Sequence, residues 1–374
     1  MRQEHSARAV SPGEVLAAEL DARGWSQRDL AEIMRRPHQA INEIIKSTKQ
    51  ITPETALELA EAFGTSSDFW VNLESNYRLA LAERQQDKNK EIAKRSKLFS
   101  VAPVRELIRR GWIKTTKNIA ELEKEIYRFL DISSLNELPD VPQLAYRHAE
   151  EKRPLQAAEI SWIKRVEQLV SNQKVGQFSI EDFMKTIPQL MNLAQRTEDV
   201  RNVPSLLLDA GVHFVIVPHL PKTYLDGATW PFEKKPVIAL TARYDRIDSF
   251  WFTLMHEIAH IMNRHSGLFL DDLYSDDPKD DIEKVADSDA CKWLIDQEKL
   301  NNFIRTTSRG SKVISRAAIL HFARELKRHP GILVGQLHFR KTLDYRHHRG
   351  LLSRFKVLLA DWIDQSGPTK TSRT

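Results

Sequence analysis

The sequence predicts a mostly α-helical chain with a small α+β part, and three observations carry that prediction. Residues 11–84 fall into short apolar-periodic segments, each opened by Ser, Thr or Pro and two of them closed by Gly. Residues 85–200 continue at the helical period. Only from about 204 do β-branched runs appear, followed by one long apolar helix that contains His256-Glu257-Ile258-Ala259-His260. The resulting expectation is a helix-turn-helix domain over 8–84, a helical linker or middle region over 85–200, and a third domain over 201–362 with a small sheet, the H-E-x-x-H helix and a basic C-terminal region.

Composition narrows the classes. The chain has 374 residues, 41% hydrophobic and 29% charged, with 13 Gly and 16 Pro, which excludes disordered and fibrous classes and, at roughly 100 to 200 residues per domain, suggests two or three domains. The start, MRQEHSARAVSPGEV, has no apolar signal region, and the most apolar stretch, near 203–221, is broken by Asp209, His213 and Pro218, so a cytoplasmic location with no membrane partner is expected. A single cysteine, Cys291, excludes an internal disulfide and a cysteine-cluster metal site; a metal here must be held by His and carboxylate. The net charge of +5 is uneven: between Phe303 and Lys356 there are 13 Lys or Arg against Glu325 and Asp344, with five histidines among them. Such a stretch is a solvated surface or a contact for phosphates or an acidic partner.

The elements follow in order. Ser11-Pro12-Gly13-Glu14 is a capping box with Pro at the first helical position and opens VLAAELDARG, which closes at Gly24. Ser26 caps a second helix carrying Leu30, Ala31, Ile33 and Met34, and Pro37 opens a third with Ala40, Ile41, Ile44 and Ile45. Thr52-Pro53-Glu54 opens a fourth helix ending at Gly64, and a fifth starts near Thr65 or Ser66. The charged run ERQQDKNKEIAKRSK reads as a helical extension or linker; helical patterns then continue to 200 around a Pro- and Ser-containing break at 133–142. GVHFVIVPHL and KPVIALTAR read as strands, with Asp226-Gly227-Ala228-Thr229-Trp230 as a turn and short strand between them. Asp248 or Ser249 caps the helix FWFTLMHEIAHIMNRH, and after an acidic loop another helix runs from about Pro278 to Asp296.

Two constellations carry chemistry. In the pair of helices from Ser26 to Ser47 the second is rich in side chains that hydrogen-bond bases (His38, Gln39, Asn42) and phosphates (Lys46, Lys49), as entry into a major groove requires, and Gln27 can hold a phosphate. Residues 1–96 carry 14 basic against 15 acidic residues, so any electrostatic footprint is local, between Arg28 and Lys49. Residues 11–84 resemble the lambda-repressor-like helix-turn-helix of the XRE family, and most closely the HigA-type antitoxins, through SPGEVLAAEL, SQRDLAEIM, QAINEI, ITPETALELAEAFGTS and DFWVNLE. That resemblance implies a homodimer on a palindromic operator DNA with half-sites about one helical turn apart. Family members usually have Gly where this chain has Arg35. The turn is therefore expected to be more extended, with Arg35 or Arg36 available to a phosphate.

The second constellation is the H-E-x-x-H itself. Its i, i+4 spacing puts two imidazoles on one helix face, where they can bind Zn²⁺, while Glu257 can take a proton from a metal-bound water. Phe250, Trp251, Phe252, Leu254, Met255, Ile258, Ala259, Ile261 and Met262 surround these residues, so the helix should be buried, and polar groups there would be costly without a partner. The segment 204–340 resembles the ImmA/IrrE-type zinc metallopeptidase domain, a zincin-like fold, through DGATW, PVIALTARYDRIDSFWFTLMHEIAHIMNRHSG, EKVADSDACKWLI and HPGILVGQL. The resemblance implies zinc on His256 and His260, Glu257 as general base and a third ligand on the following helix. The family usually places that ligand, a Glu, where this chain has Val285. Asp289, one turn later on the face of Val285, is the substitute the sequence favours; Glu283, about 200° away around the helix, is the second choice.

Two functions follow. One is a DNA-binding regulator whose zinc-metallopeptidase-like domain cleaves a repressor- or antitoxin-type protein, either its own linker near 85–100 or another chain. The other is a non-enzymatic antitoxin or autoregulator whose degenerate peptidase domain binds a toxin or ligand, with Val285 as the discriminating feature. His213, His219 and Cys291 read as structural residues.

Overall fold

A computed structural model describes residues 9–83, 86–142, 155–264, 268–271, 281–307 and 314–364. The chain folds as two compact units, Met1–Ser96 and Lys97–Thr374.

The first unit is built of α1 (Pro12–Arg23), α2 (Gln27–Ile33), α3 (His38–Ile45), α4 (Pro53–Phe63) and α5 (Ser67–Glu83), with α6 (Gln86–Val101) following. The expected stops and starts are where the sequence puts them. Ser11 Oγ accepts from the Glu14 N–H, Thr52 Oγ1 from the Thr55 N–H, and Ser26 and Asp29 form a reciprocal capping box. Gly24 and Gly64 end α1 and α4 in the left-handed region at φ 68° and 67°. Leu16, Leu20, Leu30, Ile41, Ile44, Leu59, Phe63 and Trp70 make the core. Gly13 is needed because α1 begins against the end of α3: a Cβ there would lie 2.1 Å from the Ile45 carbonyl oxygen.

The second unit adds α7 (Val104–Arg109), α8 (Ile119–Leu130), α9 (Ala157–Val170), α10 (Ile180–Leu193) and α11 (Val203–Asp209), then β1 (His213–Ile216), β2 (Gly227–Phe232) and β3 (Lys235–Leu240). After these come α12 (Ile247–Met262), β4 (Phe269–Asp271), α13 (Asp281–Leu294), α14 (Gln297–Thr307), α15 (Arg316–Glu325) and α16 (Pro330–Phe339). The sheet order is β1-β3-β2-β4, with β1 and β3 parallel and β2 antiparallel to both its neighbours. Side chains alternate between two cores. Phe214, Ile216, Ile238 and Leu240 face the core that holds α12 and α16, while Val215, Val237, Ala239, Ala228 and Trp230 face the one that holds α8 and α9. The edge strand β1 meets Ile363 in a parallel bridge from Ile216, and the Asp364 N–H donates to the Ile216 carbonyl. Arg165 clasps both Asp364 carboxylate oxygens at 2.8 and 2.9 Å, and Trp112 Nε1 donates to one of them at 3.0 Å.

Two expectations shift. α12 starts at Ile247, ahead of Asp248 and Ser249, and has no side-chain cap; Asp248 instead bonds Arg246. β4 was not foreseen, since three residues are too few to show a period. The acidic loop before α13 lies outside the described residues. Among the described residues no helix is long and apolar enough to cross a membrane.

Candidate functional site

In the first unit the chemistry-bearing residues lie on the outer arc of α3. At 100° per residue His38, Asn42, Lys46, Gln39 and Glu43 span about 140°, while Ala40, Ile41 and Ile44 point the other way and are buried. His38, Gln39 and Lys46 are exposed; Asn42, Glu43 and Gln27, at the start of α2, are half-buried. Gln39 Nε2 donates to Glu43 Oε1 at 2.9 Å, a pairing the sequence reading overlooked although i, i+4 spacing announces it.

The turn before α3 corrects the expectation of an extended connection. Arg35 takes the left-handed conformation itself, at φ 52°, and the Arg36 N–H bonds back to the Ala31 carbonyl at 2.9 Å, so the turn closes tightly without glycine. Arg35 remains exposed. Arg36 does not wait for a phosphate: its Nε and Nη2 hold the Glu58 carboxylate at 2.6 and 3.1 Å, tying the turn to α4.

In the second unit α12 and α13 bring three ligand-type atoms together. His256 Nε2 and His260 Nε2 stand 3.0 Å apart, and the Glu283 carboxylate lies 3.2 Å from the first and 3.6 Å from the second. All three residues are buried, and their ligand atoms lie within 4.8 Å of one another. Ligands around a tetrahedral zinc at about 2.0–2.1 Å stand roughly 3.3 Å apart, so the donor set fits that ion without rearrangement. Opposed imidazole nitrogens and a carboxylate in a dry site are otherwise costly.

The choice of carboxylate is the reverse of the sequence ranking. Glu283, Ala286, Ala290 and Leu294 form the buried face of α13, while Val285 is 44% exposed on the other side. The 200° between positions 283 and 285 holds, but the face turned to the histidines is that of Glu283. Asp289, on the face of Val285, accepts instead from Asn263 Nδ2 and Lys292 Nζ at 3.1 and 3.2 Å. Asp287, one turn after Glu283, places an oxygen 2.9 Å from His256 Nδ1, which orients the ring with Nε2 toward Glu283. Asp287 was not singled out from the sequence, although its spacing of four residues from Glu283 puts both on one face of the helix.

Glu257 is buried and packs against β2. The alternation of β2 turns position 227 toward α12, and a Cβ there would lie 2.3 Å from Glu257 Oε1 and 2.8 Å from Thr253 Cγ2. Gly227 therefore makes the seat for this carboxylate.

The remaining candidates take structural roles. His213 is buried near Gln173 Oε1, and burial holds its imidazole, like that of His219, below the usual range. The basic stretch is internal at Arg328, which donates to the Leu294, Met191 and Trp293 carbonyls, while Arg340 and Arg346 are exposed and pair on the surface with Asn301 and Gln297 and with Asp344.

The helix-turn-helix family profile matches residues 16–70. Virulence-associated protein I of Dichelobacter nodosus is 40% identical over 81 residues, which are 21% of this chain and 73% of that protein. The HTH-type transcriptional regulator YddM of Escherichia coli K12 is 30% identical over 76 residues, 20% of this chain and 81% of that protein. Among solved structures, an addiction module antidote protein of the HigA family from Coxiella burnetii is 36% identical, covering 22% of this chain and 91% of its own with a TM-score of 0.22. The antitoxin HigA of Pseudomonas aeruginosa, solved with the higBA promoter, is 34% identical over 22% of this chain and 90% of its own with a TM-score of 0.21. Over the five-helix unit that these residues build, the chain belongs to the helix-turn-helix family.

Proposed function

We propose that the chain is an operator-binding transcriptional regulator whose second unit is a zinc metallopeptidase acting on a protein of the repressor or antitoxin kind. Membership of the helix-turn-helix family, the polar arc of α3 and the description of YddM as a transcriptional regulator support the first half. A homodimer would meet two half-sites about one helical turn apart.

The observation that carries the enzymatic half is the convergence of His256, His260 and Glu283 beside a buried Glu257. These three residues would hold the ion, with a fourth position left for water, and Asp287 would keep the His256 ring in the tautomer that offers its Nε2 lone pair. Bound there, zinc would supply Lewis-acid polarisation of a scissile carbonyl and acidify its water to near neutral pH. Glu257 takes the proton of the attacking water and returns it to the leaving amine. Gly227 leaves the room that this carboxylate occupies. The burial of His256, Glu257, His260 and Glu283 strengthens each of these charge interactions.

The test pairs zinc analysis with proteolysis. Protein purified without an affinity tag is expected to carry about one zinc per chain and to cleave members of a mixed peptide pool, read by mass spectrometry. Glu257→Gln should keep the zinc and lose the cleavage. Cleavage undiminished in that variant would refute the role of Glu257. A chain that takes up no zinc after reconstitution would return the second unit to the non-enzymatic binding role.

A further inference from the structure

A feature of α3 goes beyond the general assignment of a DNA-reading helix, and it rests on that assignment. The groove-facing arc carries a carboxylate. Glu43 lies next to Gln39 at the edge of the arc, and the two are joined by the 2.9 Å bond from Gln39 Nε2 to Glu43 Oε1. A carboxylate cannot serve a phosphate, which repels it, and it cannot approach guanine N7 and O6 or thymine O4, which are acceptors like itself. Only an exocyclic amine gives it a donor.

We infer that Glu43 and Gln39 act as one reading unit for a C·G base pair, with Glu43 accepting from the cytosine N4 amine. Adenine also offers an amine, but its N7 acceptor lies beside it and would face the second carboxylate oxygen; cytosine has only a C5 hydrogen there. The bond between the two side chains turns the Gln39 nitrogen toward Glu43 and leaves one Nε2–H to give. The unit therefore presents an acceptor next to a donor. A C·G pair presents the complement in its major groove, the cytosine N4 donor next to the guanine O6 acceptor. The backbone that holds Glu43 is itself fixed, because its carbonyl accepts from Thr48 Oγ1, the Thr48 N–H and the Lys49 N–H at 3.0 to 3.1 Å. A pre-formed pair loses less side-chain freedom on binding than two independent side chains would.

The full-length chain is used to select duplexes from a random pool at fixed salt, and the selected site is then measured with every base pair exchanged in turn, for the wild type, Glu43→Ala and Glu43→Gln. The wild type should show one C·G position per half-site at which exchange weakens binding about five- to a hundredfold. Glu43→Ala should flatten that position alone, while binding to unrelated duplex stays equal or strengthens as a negative charge is removed. Glu43→Gln, which keeps the shape but adds a donor, should shift the preference there. Retention of the same preference by Glu43→Ala would overturn the inference, as would a loss spread evenly over all positions. If the wild type enriches no duplex, the operator-binding reading fails first and takes this one with it.

Discussion

Replacing single carboxylates of α13 separates the two metal-site arrangements open to this sequence. Glu283 is within 3.2 and 3.6 Å of the two Nε2 atoms, Asp287 places an oxygen beside His256 Nδ1, and Asp289 is turned to Asn263 and Lys292. Zinc supplied at a hundred times its Kd adds about 2.7 kcal/mol to stability. For a unit the size of 97–374, at about 2 °C per kcal/mol, that is a rise in Tm of about 5 °C. Glu283→Gln should abolish the rise. Asp287→Asn, which releases an orienting partner of a ligand, should weaken zinc 10- to 100-fold and leave about 1.4 to 0.4 kcal/mol at the same zinc concentration, a rise of roughly 1–3 °C. Asp289→Asn should leave the full 5 °C rise. The assay is differential scanning fluorimetry with and without zinc, paired with elemental analysis. The reasoning is refuted if Asp289→Asn loses the metal while Glu283→Gln retains it.

Other outcomes follow from contacts described above. Gly227→Ala should keep zinc but displace the Glu257 carboxylate by about 1 Å, lowering kcat on the order of a hundredfold in peptide hydrolysis while leaving zinc content unchanged. Gly13→Ala should lower the stability of the first unit by about 3 kcal/mol, the top of the range for an overpacked site, because its nearest neighbour is a backbone carbonyl that cannot yield; a denaturant midpoint measures it. Asp364→Ala should cost about 3 kcal/mol, leaving Arg165 without its carboxylate, and should appear as a lowered Tm of the second unit. Burial holds the His329 imidazole below its ordinary value near 6.5, against the opposing pull of Glu198 and Asp248, and its Nδ1 accepts from the Gly331 N–H. The unfolded chain therefore takes up a proton first, so this group removes stability as pH falls below about 6.5. His329→Gln should make denaturant midpoints less dependent on pH between 7.5 and 5.5.

The local punctuation of the first unit was legible because caps and left-handed glycines act over three or four residues; Ser11, Ser26, Thr52, Gly24 and Gly64 all do what their positions imply. Arg35 escaped that logic, since a non-glycine residue at φ 52° costs energy that the closed turn and the Arg36–Glu58 pair offset. His256 and His260 were legible from spacing alone. Their third partner was not, because the inward face of α13 is set by packing against α12: Val285, apolar and central in the motif, is turned outward, and the charged Glu283 inward. Gly227 was visible as a glycine in a strand, but its purpose needed the residue across from it.

The bridge from Ile363 to Ile216 has a consequence for handling the protein. β1 is an edge of the sheet, and an edge with open carbonyl and amide groups is a template on which another chain can pair. Ile363 and Asp364 occupy part of that template, held there by Arg165 and Trp112. Clipping the chain before Ile363 would uncover the Ile216 carbonyl and an apolar strand beside it. Such a trimmed chain should form larger assemblies than the intact one at the same concentration.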